Sequence, residues 1–309
     1  MQLPRLIVTA GDPAGIGPEV TVKALARPEV RAVAEIAVAG DPAHLERTAR
    51  ELGLPAAERV EPAGDAGAVR PGHLSAEGGA AAVAAVVRAV ELIQVGMYDG
   101  LVTAPINKEA IRLAGFPWPG HTELLAELGG AADARMLLVT DRLRVVHVST
   151  HRSLRSAIEA VTRDRVLRTI ELGAQGARRL GVDRPRVAVA GLNPHAGEGG
   201  LFGDEEVREI APAVEAARAA GIDAVGPLPP DTVFWRASRA EFDLVVAMYH
   251  DQGHIPVKFS GFDEGVNVTL GLPFARASVD HGTAFDIAGR GVARWQSMAA
   301  AIRVGAALA

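Results

Sequence analysis

The sequence predicts an α/β protein built around a largely parallel β-sheet. Short apolar runs alternate with longer segments of helical periodicity along almost the whole chain, and alternation of this kind is typical of βαβ units. Hydrophobic residues make up 49% of the chain, which is enough for a substantial core. No internal repeat and no low-complexity linker interrupts the pattern, so we expect the chain to fold throughout.

The individual elements follow from the period of the apolar residues. In chain order, we predict strands at residues 5–10, 34–39, 100–104, 134–140, 143–149, 186–191, 243–248 and 266–270. Helices are predicted at residues 18–26, 42–52, 75–95, 163–180, 205–220 and 293–307. The acidic stretch GDEE, residues 203–206, is predicted to form the start of the fifth helix, because acidic side chains stabilise a helix N-terminus.

Length, charge and composition restrict the functions to consider. At about 150 residues per domain, a chain of 309 residues suggests two domains or one large one. The net charge of −5 and the absence of a long basic block argue against nucleic-acid and membrane partners. There are no cysteines, which excludes disulfides and thiolate metal sites. Residues 1–5 lead directly into a strand, so no signal peptide is expected and a cytoplasmic location is predicted.

Three predicted strands are each followed by a histidine just past their carboxyl end. His151 follows the strand at 143–149, His195 follows the strand at 186–191, and His250 with Asp251 follows the strand at 243–248. Ligands of parallel α/β sheets bind beyond the carboxyl ends of strands. A single histidine in such a position is usually structural, whereas three in one chain favour a shared site.

Three neutral imidazoles can hold a divalent cation and leave coordination positions open for a substrate. Imidazole ligands favour zinc, cobalt or nickel over magnesium, although the wide separation of these histidines matches no local zinc motif. Of the other histidines, His44 and His73 are predicted to lie on the surface and His147 to be packed inside its strand. His254 and His281 remain candidates for supporting the site.

Residues after His250 carry groups suited to an anion. Lys258, Asn267 and Arg276 follow in sequence, and an arginine can grip a phosphate with two parallel hydrogen bonds. His121 and Thr122 stand immediately before a helical pattern, where backbone N–H groups also bind anions. Any one of these basic residues could instead form an ordinary surface ion pair.

The glycine-rich stretch TAGDPAGIGPEV, residues 9–20, follows the first predicted strand. Its glycines do not match the dinucleotide fingerprint G-x-G-x-x-G, and the chain contains no Walker A motif. A tight strand-to-helix turn and a ligand-binding loop are equally good interpretations. The chain also has no G-x-S-x-G elbow, which disfavours a serine hydrolase.

Taken together, these segments resemble the 4-hydroxythreonine-4-phosphate dehydrogenase family. The resemblance runs in order over nearly the whole chain, in the stretches GDPAGIGPE, TAPINKEAI, PGHTELLAE, THRSLR, GLNPHAGEGGLFGDEE, GPLPPDT, AMYHDQGHIPVKF and GVNVTLGLPFARASVDHGTAFDIAG. It implies a two-domain fold like that of isocitrate and isopropylmalate dehydrogenases. We therefore expect one domain at residues 1–133 with 281–309, and a second at 134–280 that carries most of the metal and phosphate ligands.

The resemblance also implies a homodimer with its active site in the interdomain cleft at the subunit interface. The implied metal ligands are His151, His195 and His250, one of them donated by the neighbouring chain. The implied substrate contacts are His121, Thr122, Lys258, Asn267 and Arg276. Asp251 and Asp231 are the candidates for handling protons or orienting a ligand histidine, with a turn-forming or helix-capping role as the alternative for Asp231.

The implied reaction is oxidation by NAD or NADP of the C3 hydroxyl of a 4-phosphorylated four-carbon acid, followed by decarboxylation. Zinc is the favoured ion, with cobalt, nickel, manganese and magnesium as alternatives. The first candidate substrate is 4-hydroxythreonine 4-phosphate, on the route to pyridoxal phosphate.

Other functions stay open at this point. A sister branch oxidises 4-phospho-threonate or 4-phospho-erythronate in sugar-acid catabolism. The segments GGLFGDEE and HDQGHIP slightly favour this branch. A third relative acts on an aromatic cis-dihydrodiol, which the retained phosphate-binding residues disfavour. A non-catalytic phospho-metabolite sensor is the alternative of another class.

Overall fold

The computed structural model describes residues 2–131, 133–261 and 265–309. Two compact units divide the chain, the first comprising Met1–Ala134 with Leu272–Ala309 and the second Arg135–Gly271. Within the described ranges, no helix is both long enough and apolar enough to cross a membrane.

The predicted strands and helices are all present in the predicted order, among further elements that were not predicted. The strands are β1 (Arg5–Thr9), β2 (Glu35–Gly40), β3 (Val60–Pro62), β4 (Gly100–Thr103), β5 (Arg135–Val139), β6 (Arg144–His147), β7 (Val187–Ala190), β8 (Ala224–Leu228), β9 (Leu244–Ala247), β10 (Val266–Leu270) and β11 (Ala275–Val279). The helices are α1 (Gly17–Leu25), α2 (Pro28–Arg31), α3 (Pro42–Glu51), α4 (Ala76–Gln94), α5 (Lys108–Leu113), α6 (His121–Gly129), α7 (Leu154–Glu159), α8 (Arg163–Arg179), α9 (Ala211–Ala219), α10 (Pro230–Ser238), α11 (His250–Ser260) and α12 (Gln296–Leu308).

The first unit contains five parallel strands in the order β3-β2-β1-β4-β11. Register places Thr9 of β1 opposite Thr103 of β4, and Thr103 opposite Ser278 of β11. These three hydroxyl residues therefore form a row across neighbouring strands near their carboxyl ends. The core below them packs fully buried residues such as Ile7 and Leu101 against α4.

The second unit contains six strands in the order β10-β5-β6-β9-β7-β8. β10 and β6 each pair antiparallel with β5, whereas β6, β9, β7 and β8 are parallel to one another. The carboxyl ends of β6, β9 and β7 consequently share one edge. The α/β architecture with a mostly parallel sheet, predicted from the sequence, is confirmed.

The glycine-rich stretch after β1 is a tight turn into α1. Gly11 has a φ of 76°, and a Cβ built on it would lie 2.4 Å from the carbonyl oxygen of Pro105. At Gly17, a Cβ would lie 2.3 Å from the carbonyl oxygen of Ala10. Close backbone approach therefore explains these two glycines without a ligand.

Some elements escape the sequence analysis. β3, β8 and β11 are absent from the predicted strands, since β3 has three residues, β8 contains Gly226 and Pro227, and β11 reads ARASV. The predicted helix at 205–220 is also wrong at its start, because Glu206–Ile210 forms a π turn that precedes α9. No side chain in GDEE caps that turn.

Candidate active site

His151 and His250 lie together at the carboxyl edge of the second unit's sheet. They follow β6 and β9, which are adjacent parallel strands, and their ring centroids are 5.5 Å apart. Both rings line a cavity of about 530 Å³ to which Tyr249, Asp251 and Arg152 also contribute. The predicted convergence of strand-end histidines is thus present for this pair.

His195 occupies a different setting at the end of β7. It lies in a turn, Pro194–Gly200, whose backbone is left-handed from His195 to Gly199, and its ring is 6.5 Å from that of Phe202. Among the described residues of one chain, no group of three His, Cys, Asp or Glu side chains is arranged to hold a metal ion. A single chain therefore brings two of the three predicted ligands together.

A column of imidazoles continues inward from His250. His254, one turn further along α11, stacks on His250 at a centroid distance of 3.6 Å and hydrogen bonds through Nδ1 to the His250 carbonyl oxygen at 3.0 Å. His147 of β6 lies beneath, 4.7 Å from His254, and is buried as the sequence predicts. Burial lowers the pKa of His147 to about 3 and that of His254 to about 4, so both rings are neutral at physiological pH.

Asp251 and Gln252 orient the turn that carries His250. Asp251 Oδ1 lies 2.6 Å from Nδ1 of His250, an arrangement that fixes the tautomer and direction of a ligand imidazole. Gln252 accepts a hydrogen bond from the Met248 N–H at 2.6 Å and donates one to the Gly191 carbonyl oxygen at 2.7 Å. One side chain therefore ties the end of β9 to the end of β7.

The first unit contains a buried cationic group on its last strand, β11. Arg276 of β11 is 3% exposed and donates from Nη2 to Thr103 Oγ1 at 2.7 Å. Burial lowers the pKa of Arg276 to about 10, a value at which the guanidinium remains charged at neutral pH. The hydroxyl of Thr103 is a contact that the sequence analysis does not identify.

His121, the first residue of α6, lies close enough to Arg276 for the two to interact electrostatically. Burial, followed by the charge of Arg276, lowers the pKa of His121 well below its ordinary value. Its Nε2 is shut off from solvent and has no hydrogen-bond partner among the described residues. Thr122 follows on the exposed first turn of the same helix. The sequence analysis places His121 and Thr122 immediately before the helix, whereas in the structure they are its first two residues.

The remaining predicted substrate and proton-handling residues lie in the second unit. Asn267 of β10 has a buried Oδ1 without a hydrogen-bond partner among the described residues, while Lys258 is exposed near the end of α11. Asp231 is exposed in the first turn of α10 and does not cap that helix. A buried polar atom such as Asn267 Oδ1, near the start of β10, is suited to receiving a polar ligand.

His44 does not lie on the surface as predicted. It is 7% exposed in the first turn of α3, where Nδ1 accepts a hydrogen bond from Arg47 Nη2 at 2.7 Å. Burial lowers the pKa of His44, and the neighbouring Arg47 charge acts in the same direction. His73 is exposed, in agreement with the prediction.

Strand-end imidazoles over a parallel sheet, with a buried cationic group elsewhere in the chain, define a class of α/β protein equipped to bind a polar or anionic small molecule. The chain belongs to the family of the pyridoxal phosphate biosynthetic protein PdxA, whose sequence model matches residues 19–305.

Two relatives show the range of names in this family. The chain is 52% identical to a 4-hydroxythreonine-4-phosphate dehydrogenase of Beijerinckia indica, over 95% of this chain and 91% of the relative. It is 50% identical to a D-threonate 4-phosphate dehydrogenase of Cupriavidus necator, over 99% of this chain and 98% of the relative.

Solved structures agree with this placement. A 4-hydroxythreonine-4-phosphate dehydrogenase of Klebsiella pneumoniae superposes with a TM-score of 0.90 at 46% identity, covering 99% of this chain and 98% of the other. A β-decarboxylating dehydrogenase of Thermococcus kodakarensis has a TM-score of 0.50 at 17% identity, covering 96% of this chain and 82% of the other. The second likeness concerns the fold alone.

Proposed function

We propose that the protein is a metal-dependent dehydrogenase that uses NAD or NADP to oxidise the C3 hydroxyl of a 4-phosphorylated four-carbon acid, with decarboxylation of the product. The observation that carries this proposal is the His151–His250 pair, which lines one cavity from two adjacent parallel strands. 4-Hydroxythreonine 4-phosphate is the first candidate substrate. The isocitrate- and isopropylmalate-dehydrogenase-like fold is part of this proposal, supported by the distant β-decarboxylating neighbour.

A divalent ion fits the residues present. His151 and His250 offer two imidazoles to the same space, and imidazole nitrogens suit zinc, cobalt or nickel better than magnesium. When bound, such an ion would lower the pKa of a coordinated hydroxyl and polarise a neighbouring carbonyl. His195 is the third proposed ligand. Because one chain assembles no trio among its described residues, we propose that two copies complete the site as a homodimer.

Other side chains of the protein are proposed to bind the phosphate, orient a metal ligand and transfer a proton. Arg276 and His121 supply positive charge and a buried ring nitrogen for the 4-phosphate, with Thr122, Lys258 and Asn267 as further contacts. Asp251, which is hydrogen bonded to His250, orients that imidazole. Asp231 is a second candidate for moving a proton.

In the proposed reaction, the proton of the C3 hydroxyl passes to a base. The hydrogen on C3 leaves as hydride to the nicotinamide, which is reduced while C3 becomes a ketone. The 3-oxo acid then breaks its C1–C2 bond, and carbon dioxide leaves. A proton taken up at C2 completes the ketone product.

D-Threonate 4-phosphate is the second candidate substrate. Relatives with that name are 46–50% identical to this chain over nearly its full length, a level that does not separate them from the 52% identical relative named for the other substrate. Both compounds carry a C3 hydroxyl, a C1 carboxylate and a 4-phosphate, so the same residues would serve either one.

A panel assay distinguishes these activities. Purified protein with added zinc, cobalt or manganese is given NAD or NADP with 4-hydroxythreonine 4-phosphate, 4-phospho-D-threonate or 4-phospho-D-erythronate, and nicotinamide reduction is followed at its near-ultraviolet absorbance. We expect one of the three to be turned over, with loss of activity on chelation and recovery on adding metal. Binding of a phosphorylated acid without reduction would instead support a sensor.

The metal role is tested with a matched pair of histidine variants. His195→Ala should reduce turnover by roughly 100-fold or more, because a lost metal ligand removes transition-state charge stabilisation worth several kcal/mol. His73→Ala, at an exposed histidine of the first unit, should keep the original rate. Near-normal turnover by His195→Ala would refute the proposed metal centre.

A further inference from the structure

The turn that carries His195 has an unusual backbone. Six consecutive residues have positive φ angles, namely His195 (54°), Ala196 (57°), Gly197 (77°), Glu198 (45°), Gly199 (67°) and Gly200 (103°). Non-glycine residues adopt this left-handed conformation rarely and usually singly. Three of the six are not glycine, so surrounding contacts must hold the turn in place.

Glu206 supplies such contacts from the π turn that follows. Glu206 is 2% exposed, and its Oε1 accepts hydrogen bonds from the backbone N–H groups of Leu192 and Asn193, each at 2.7 Å. Its Oε2 accepts from Asn193 Nδ2 at 2.9 Å. The carboxylate therefore fixes two of the three residues that connect β7 to the turn at Pro194–Gly200.

The turn also closes directly onto this carboxylate. A Cβ built on Gly197 would lie 2.6 Å from Glu206 Oε2, and one built on Gly191 would lie 3.2 Å from Oε1. Gly197 accepts no side chain unless Glu206 moves, whereas at Gly191 the atom nearest to the built Cβ is Cα of Ala196, at 2.8 Å. Gly191 and Gly197 thus lie against the buried carboxylate, with His195 between them in sequence, whereas Gly199 and Gly200 have open space around them.

We propose that Glu206 is a positioning residue, which sets the place and direction of the His195 imidazole for binding a divalent ion. This inference rests on the proposed metal centre, because it assigns His195 the role of ligand. Glu206 accepts hydrogen bonds from the N–H groups of Leu192 and Asn193, shortly before His195. It therefore restrains the backbone from which the imidazole projects. Hydrogen bonds that orient metal ligands commonly change metal affinity by roughly 10- to 100-fold when removed.

The test measures binding of Co²⁺ alone to metal-stripped, full-length protein by calorimetry and by the visible absorption of the bound ion. Glu206→Gln keeps the size of the side chain but removes its charge and replaces one of the two accepting carboxylate oxygens by an amide N–H₂. We expect it to weaken Co²⁺ binding by roughly 10- to 100-fold. Glu209→Gln is the matched control, because Glu209 lies in the same π turn and accepts from Arg163 N at 2.8 Å, away from His195.

Two additional variants separate positioning from a general loss of structure. Glu206→Asp retains the charge with a shorter reach, and an intermediate Co²⁺ affinity is expected. The double variant His195→Ala with Glu206→Gln should bind Co²⁺ no more weakly than His195→Ala alone, since Glu206 acts through that imidazole. Hydrogen exchange should accelerate at the amides of Leu192 and Asn193 in Glu206→Gln and stay unchanged in Glu209→Gln.

The outcomes are distinguishable. If His195→Ala loses Co²⁺ affinity while Glu206→Gln exchanges faster at Leu192 and Asn193 but binds Co²⁺ normally, Glu206 only braces the loop and the inference is overturned. If His195→Ala itself binds Co²⁺ as tightly as the unmodified protein, the proposed metal centre fails, and the inference fails with it. Should Glu206→Gln not fold, Glu206→Asp decides between the same results.

Discussion

Thr103 provides one hydrogen-bond acceptor for a buried guanidinium. Arg276 is almost completely enclosed on β11, and its Nη2 donates to the Thr103 hydroxyl at 2.7 Å. A buried cation is tolerated only where hydrogen bonds compensate for its loss of water. The threonine therefore both stabilises Arg276 and sets the direction in which the guanidinium points.

Replacing Thr103 by Val should lower the free energy of unfolding by about 1–3 kcal/mol, because the buried guanidinium loses its hydrogen bond to the Thr103 hydroxyl. It should also raise the KM for the phosphorylated substrate more than it lowers kcat, since Arg276 is proposed to bind the phosphate. Urea unfolding and steady-state kinetics measure the two effects. Thr103→Ser, which keeps the hydroxyl, should restore most of both.

Thr9→Val is the matched control for this experiment. Thr9 lies opposite Thr103 on the adjacent strand β1, is fully buried, and has a hydroxyl with no hydrogen-bond partner among the described residues. Its replacement should be neutral or slightly stabilising. Equal losses in the two variants would mean that buried threonine packing, and not the contact with Arg276, determines stability.

Sequence reasoning finds the strand-end histidines but misses the side chains that support the candidate site residues. His151 and His250 stand out because an apolar run ends in a group that titrates. Thr103, Gln252 and Glu206 carry no comparable signal, since a threonine at a strand end or an acid before a helix has many ordinary explanations. Their roles depend on contacts across residues distant in sequence, such as Gln252 with Gly191 and Glu206 with Leu192.

At the scale of elements, α11 shows where periodicity fails. The segment HDQGHIPVKFS contains an internal glycine and proline, both poor helix formers, so it is not predicted as a helix. Tertiary packing overrides those propensities. The missing Cβ of Gly253 leaves room for His147, since a Cβ there would lie 2.3 Å from Nε2 of that ring.

The packing of α11 over β6 makes stability depend on pH. Burial lowers the folded-state pKa of His147 to about 3, whereas the unfolded chain takes up a proton near pH 6.5. The contribution of neutral His147 to the free energy of unfolding is therefore fully present above about pH 6.5 and is lost as the pH decreases. Between pH 7 and pH 5 this one residue should remove about 2 kcal/mol from the free energy of unfolding.

His147→Asn tests this coupling. An asparagine amide can still donate to the Met136 carbonyl oxygen, which Nδ1 of His147 approaches at 3.3 Å, but it does not titrate. The variant should lose about 2 kcal/mol less than the unmodified protein on acidification from pH 7 to pH 5. Urea unfolding with a chelator present gives the comparison, and parallel curves for the two proteins would contradict the assignment.

At the scale of the whole molecule, the sequence predicts the α/β class correctly because burial of parallel strands imposes an apolar run on each one. It cannot predict how a site is completed when a second copy is involved, because residues at such an interface look exposed within one chain. α11 is an example. It carries His250 at its start, while Ile255 and Phe259 on the same helix are 66% and 93% exposed. Large exposed apolar side chains beside a candidate site are typical of an interface.

If α11 contributes to the proposed homodimer, Phe259→Asp should dissociate it. A charge at so exposed a position should change the stability of a single folded chain by only about 0.5 kcal/mol, whereas burying it in an interface without a partner is costly. Light scattering after size-exclusion chromatography should report a monomer, with Co²⁺ affinity and turnover lost together. Val95→Asp, at a similarly exposed apolar residue after α4 in the first unit (72% exposed), should remain dimeric and active. A dimeric, fully active Phe259→Asp protein would exclude this face of α11 from the interface and require the third imidazole to reach the His151–His250 cavity in another way.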